Sequence, residues 1–197
     1  MPDAREAVWI ALADLFLDTD VRIWYAYVSR VLAESPFSLA ELRYILDNEV
    51  TPALQGNLLD IAGEWAAFDD VWVVDQIRKG LGKVRIVQVN MDRDWIPVSR
   101  LAERLRAIPA DEILPRSLAW NALISLITSK RTDVRGMHPP LQYSLGELEC
   151  FFRQDLRPVL IEGARRLAVK NPRIYPGEDE IEENWTRFAA AFGRPES

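Results

Sequence analysis

FSLAELRYILDNEVTPAL, residues 37–54, and YSLGELECFFRQDLRPVL, residues 143–160, are two versions of one pattern at a constant offset of 106 residues. Ser38, Leu39, Glu41, Leu42, Pro52 and Leu54 recur as Ser144, Leu145, Glu147, Leu148, Pro158 and Leu160. Ser-x-x-Glu is a capping box: the serine hydroxyl accepts from the glutamate's backbone N–H, and the glutamate carboxylate accepts from the serine's backbone N–H. Phe37 and Tyr143, just before the caps, are placed to staple onto Leu42 and Leu148. Both stretches therefore predict helix starts. Each proline marks a place where a helix breaks or a new one begins in its first turn.

The similarity extends in both directions. WIALADL at 9–15 matches WNALISL at 120–126 at offset 111, and DDVWVVDQIRKG at 69–80 matches EENWTRFAAAFG at 182–193 at offset 113. In the middle match Cys150 stands in line with Tyr44. Three matches in the same order predict a duplicated helical unit of roughly 70 residues. The expected fold is all-α: two related helical lobes, residues 1–80 and 120–197, joined by a mostly helical linker, 81–119. Apolar residues at helical spacing support it elsewhere. Val8, Ala11, Leu12, Leu15 and Phe16 share one face behind a further capping box, Asp3-x-x-Glu6; Val21, Trp24, Tyr25, Val28, Val31 and Leu32 share another. Only VRIVQV, 84–89, has β character, and a lone strand has nothing obvious to pair with.

Composition narrows the class. Nearly half of the 197 residues are hydrophobic and seven are tryptophan, enough for a packed core. The net charge of −6 argues against direct nucleic-acid binding, which needs a basic face. One cysteine allows no intramolecular disulfide. The first residues lack the basic and apolar regions of a signal peptide, and the longest mostly apolar stretch, 117–127, is too short to span a bilayer. These features predict a cytoplasmic protein. The acidity is uneven: residues 1–80 hold six Lys/Arg against fourteen Asp/Glu, whereas 120–197 hold eleven of each. Glu178, Asp179, Glu180, Glu182 and Glu183 form a local acidic cluster in the second lobe.

No constellation points to a reaction. His138, the one histidine, lies in a Met-His-Pro-Pro loop, and Cys150, flanked by Phe151 and Phe152, reads as a buried, inert core thiol. Zinc has too few ligands, and the Glu-x-x-His of a helical di-iron centre is missing. Asp14/Asp18 and Glu178/Glu182 are carboxylate pairs at helical spacing, an ordinary surface arrangement that could also ligate a hard cation. Gly80-Leu-Gly82-Lys83 lacks the spacing of a phosphate loop. No catalytic residue, metal or cofactor is expected.

VWIALADLFLDTD (8–20), VLAESPFSLAELRYILDNEV (31–50) and LLDIAGEWAAFDD (58–70) resemble an uncharacterised family of small, acidic, helical bacterial proteins, over roughly the first 80 residues. In size and charge such proteins are similar to the immunity proteins that neutralise toxins of interbacterial competition. That resemblance implies a binding protein without an active site. The expected partner is a basic toxin acting on nucleic acid or nucleotides, occluded by an acidic face with aromatic anchors. The candidate contacts are Asp69, Asp70 and Trp72 in the first lobe and Glu178, Asp179, Glu182 and Glu183 beside Trp185 in the second. An adaptor or regulatory module without a toxin partner is the alternative. An enzyme with a carboxylate-centred site is the third reading.

Overall fold

Both capping boxes close. In the computed structural model, Ser38 Oγ accepts from the Glu41 backbone N–H at 3.2 Å while the Ser38 N–H donates to Glu41 Oε2 at 2.7 Å. Ser144 and Glu147 repeat this at 3.3 and 2.8 Å. The hydrogen bonds from serine hold both glutamates below the usual carboxylate range. The structure describes residues 3–17, 20–59, 67–83, 89–129, 142–168 and 177–192. Among these, every regular element is helical and there is no strand, so the fold is all-α. Of the VRIVQV stretch, residues 84–88 lie outside the described residues.

The chain divides into two compact units, 1–106 and 107–197. The first contains α1 (Ala4–Ala13), α2 (Tyr25–Glu34), α3 (Leu39–Ile45), α4 (Thr51–Leu59), α5 (Asp70–Gly80) and α6 (Asp92–Arg106). The second contains α7 (Ala110–Ser129), α8 (Leu145–Phe151), α9 (Arg157–Ala168) and α10 (Glu178–Phe192). The segment expected as a linker, 81–119, is thus shared out. Its helix α6 packs along α2 in the first unit, and its last ten residues are the first turns of α7.

After α3 and after α8 the helix continues through one π turn, Leu46–Val50 and Phe152–Leu156, into α4 and α9. The N–H of Thr51 reaches back five residues to the Leu46 carbonyl, and that of Arg157 to Phe152. Pro52 and Pro158 explain the widening. A proline lacks an N–H and its ring collides with the carbonyl four residues back in an α-helix. A π turn ahead of it moves that carbonyl aside. Each proline stands second in the α-helix that follows its π turn, the first-turn position expected of it, and the helical hydrogen bonding runs on through the widened turn rather than breaking.

In the first unit, Leu12, Leu15, Phe16, Leu32, Leu42, Ile45, Leu46 and Ile77 are fully buried. A polar seam joins α2 to α6. The Tyr25 hydroxyl donates to Asp94 Oδ1 at 2.7 Å, and Ser29 Oγ donates to the Val98 carbonyl at 2.9 Å. Burial, with Asp94 alongside, drives the Tyr25 pKa well above its ordinary value. Arg106 Nη2 donates to the carbonyls of Leu32 and Phe37, satisfying acceptors near the end of α2. Asp3 precedes α1 but its side chain makes no capping hydrogen bond, and Glu6 pairs with Arg78 on α5, so the expected Asp3–Glu6 capping box does not form.

The second unit is built around Trp120, Leu123, Ile124, Phe152, Leu156 and Trp185. Phe152 and Trp185 stack at 4.5 Å between ring centres, 6° from parallel. Asn184, buried on α10, donates to the Ile127 carbonyl at 2.9 Å, which tethers α10 to α7.

Cys150 is exposed on α8, not buried. Its neighbours Phe151 and Phe152 turn inward, and successive residues of a helix project about 100° apart. Trp72 and Trp185 do not occupy equivalent places. Trp72 lies in the first turn of α5 and is 39% exposed, whereas Trp185 lies in the third turn of α10 and is 3% exposed. Counted from their helix starts, Val73 and Ile77 of α5 fall opposite Ile181 and Trp185 of α10, all four buried.

Candidate functional site

The start of α5 is shaped by Asp69. It precedes the helix in extended conformation, and its Oδ1 accepts the Trp72 N–H at 2.8 Å, so this residue of the candidate surface is first of all a helix cap. Val73 and Ile77 face the core, which leaves Asp70, Val71 and Trp72 outward; Val71 is 76% exposed. The Trp72 ring lies flat on Phe68 at 5.5 Å, 9° from parallel. The stacked pair presents a large apolar surface at the protein–water boundary.

Acid gathers around this turn. α5 packs on α1, and Asp14, in the 3-10 turn that ends α1, is half-buried. Burial, and then the charge of Asp70, raise its pKa from an ordinary 3.8 to about 6. Tyr27 of α2 is shifted upward by burial and by Asp14 and Asp70 together, with Arg30 opposing. The Arg30 guanidinium stands 5.6 Å above the Tyr27 ring, and Trp24 leans edge-on against Tyr27 at 6.4 Å. No basic side chain pairs with Asp14 or Asp70 among the described residues. The expected contacts Asp69, Asp70 and Trp72 have Asp14, Tyr27 and Phe68 as company that no local pattern marks as part of this surface. The Asp14/Asp18 spacing did flag Asp14, as half of a carboxylate pair; Asp18 lies outside the described residues.

The second acidic cluster is different. Arg157 pairs with Glu178 at 2.8 Å and with Glu182, Arg153 reaches Glu182 at 2.7 Å, and Arg187 pairs with Glu183. Burial pushes Glu182 upward, but the hydrogen bonds from Arg157 and Arg153 outweigh it and hold the carboxylate low. Three of the four candidate residues there are thus spoken for by arginines; Asp179 stands exposed in the first turn of α10. The compensating Arg153 and Arg157 lie 21 to 29 residues away in the chain, out of reach of any local charge pattern.

Gly80-Leu-Gly82-Lys83 is a helix terminus: α5 stops at Gly80 and Gly82 takes a φ of 74°, the left-handed conformation that ends helices. Among the described residues no group of three or more His, Cys, Asp or Glu could hold a metal ion, and no helix is long and apolar enough to cross a membrane. His138 lies outside the described residues.

Against known proteins, one family model matches, over residues 3–108; its description is Domain of unknown function (DUF7079). The match takes in more than half of the chain and coincides with the first structural unit. No curated protein and no solved structure matches the chain.

Proposed function

The chain belongs to the DUF7079 family, and from the surface of its first unit we propose that it is a binding protein that works by occluding a basic protein partner. One observation carries the reading. The first turn of α5 sets a stacked, partly exposed aromatic pair, Phe68 and Trp72, beside two carboxylates, Asp14 and Asp70, that no cation of the described residues neutralises. A lysine or arginine of a partner would supply the missing charge, and the aromatic faces would attract it further. Val71 and Trp72 add the apolar anchor that interface centres favour. This is the chemistry expected of an immunity-type protein facing a toxin whose own site is basic because it handles nucleic acid or nucleotides. The reading needs no catalytic step and no cofactor, and it places the protein in the cytoplasm, where a free exposed thiol such as Cys150 stays reduced.

The Asp69–Trp72 turn is favoured over the Glu178–Glu183 cluster because arginines already satisfy most of the latter. An affinity pull-down from native extract, using the full chain and an Asp70→Lys, Trp72→Ala double variant as parallel baits, tests the proposal. A basic protein captured by the wild type alone supports it. Capture of the same proteins by both baits removes this surface from the interaction and moves the adaptor reading ahead.

We also propose that the two units descend from one duplicated helical plan. Support comes from the paired capping boxes, the π turns ahead of Pro52 and Pro158, and an Arg-x-x-x-Trp sequence on α1 (Arg5, Trp9) and on α7 (Arg116, Trp120).

A further inference from the structure

Glu49 lies on the π turn that follows α3, and its side chain is 7% exposed. Its Oε2 accepts two hydrogen bonds at once, from Arg5 Nε at 3.0 Å and from Trp9 Nε1 at 2.7 Å, while Oε1 pairs with Arg5 Nη2. The second unit carries the same groups at the same places. Arg116 and Trp120 lie four residues apart on α7, as Arg5 and Trp9 do on α1. Asp155 is the fourth residue of its π turn, as Glu49 is of its own. The acid, however, is one methylene shorter.

The consequence is specific. Arg116 Nη1 stands 3.8 Å from Asp155 Oδ2, beyond hydrogen-bonding range. Two buried donors of this cluster have no protein acceptor, Arg116 Nε and Trp120 Nε1. They are the counterparts of the two donors that share Glu49 Oε2. One acceptor oxygen is needed where the longer side chain would have placed it, and Trp120 is fully buried, so bulk solvent does not supply it. A buried donor left unsatisfied is costly.

We propose that the second unit encloses a binding site for a single neutral oxygen acceptor, occupied by one water molecule. That water accepts from Trp120 Nε1 and Arg116 Nε and donates to the Asp155 carboxylate. Three hydrogen bonds are typical of a buried structural water. An anion is disfavoured, because Asp155 and Glu112, 4.0 Å from Arg116 Nη2, already face the guanidinium and Glu147 lies near enough to feel its charge.

Solution NMR of the full chain with labelled indole nitrogens tests the site, the Trp120 resonance being assigned through Trp120→Phe. The wild type is expected to show a cross-peak between water and the Trp120 indole proton. Asp155→Glu delivers the missing oxygen covalently; it should abolish that cross-peak and raise the melting temperature by roughly 4 °C, the scale of one recovered hydrogen bond in a unit of this size. The mirror variant Glu49→Asp should create a water contact at the Trp9 indole and lower the melting temperature by a similar amount. It keeps the proposal testable should Asp155→Glu not fold. A wild-type Trp120 indole without a water cross-peak overturns the site. So does an Asp155→Glu protein that keeps the cross-peak.

Discussion

Asp14 sits in an environment unfavourable to its ordinary charge state. Its pKa stands near 6 in the fold, against 3.8 for an unperturbed aspartate, because burial disfavours the carboxylate and Asp70 repels it. The folded state therefore binds a proton at Asp14 more tightly than the unfolded chain does. The stability this contributes is complete below about pH 4 and is lost as pH rises through about 6. Asp14→Asn should remove that dependence. Urea denaturation of both proteins between pH 4 and 8 should show the variant gaining on the wild type as pH rises; curves that stay parallel would mean that Asp14 ionises normally. The capping serines make a simpler case. Ser38→Ala and Ser144→Ala should each cost about 1 kcal/mol, read from thermal melts. These caps could be read from sequence because donor and acceptor sit three residues apart. The hydrogen bonds of Glu49 could not, since its partners Arg5 and Trp9 lie 44 and 40 residues away. For Cys150 the neighbours in sequence misled, since on a helix adjacent residues face different ways.

At the scale of elements, the pairing of α2 with α6 is what the sequence reading lacked. Read as part of the linker 81–119, Asp92–Arg106 has no partner helix assigned to it. In the structure Tyr25, Ser29 and Arg106 bind α6 into the first unit through hydrogen bonds spanning 69 to 74 residues. Tyr25→Phe should show how much this seam matters. It removes one donor from Asp94, which is 2% exposed and keeps its contact with Arg93 at 3.0 Å. An acceptor stripped of one buried partner costs about 1–3 kcal/mol. The loss should appear as faster hydrogen exchange in α2 and α6. Unchanged protection in both helices would show that apolar packing alone holds the pair. The π turns sit between what was readable and what was not. Each proline reads as a break or as a first-turn position, but the sequence does not say whether the chain bends, stops or widens there.

For the whole molecule, the division at residue 106 changes the electrostatic picture. Residues 1–106 carry seventeen acids and twelve bases, and 107–197 carry thirteen and twelve, so the first unit holds a net −5 and the second −1. The asymmetry is smaller than the −8 of residues 1–80, because α6 and its approach bring six bases into the acidic unit. The proposed interaction therefore leans less on overall field than on the local arrangement at α5. Charge at an interface rim mainly sets the association rate, and that contribution fades once the Debye length falls to about 8 Å at physiological ionic strength. With a captured partner in hand, association measured at two salt concentrations should slow as salt rises. Asp70→Lys should slow it further and weaken its salt dependence. Trp72→Ala should act mainly on dissociation, as the loss of an apolar anchor does. Reversing Glu182 is expected to affect the second unit's own stability first, because it sets lysine or arginine against Arg153 and Arg157. Salt-independent association with a silent Asp70→Lys would exclude electrostatic steering at this surface. A loss of binding confined to the Glu182 variant, with its melting temperature preserved, would move the interface to α10.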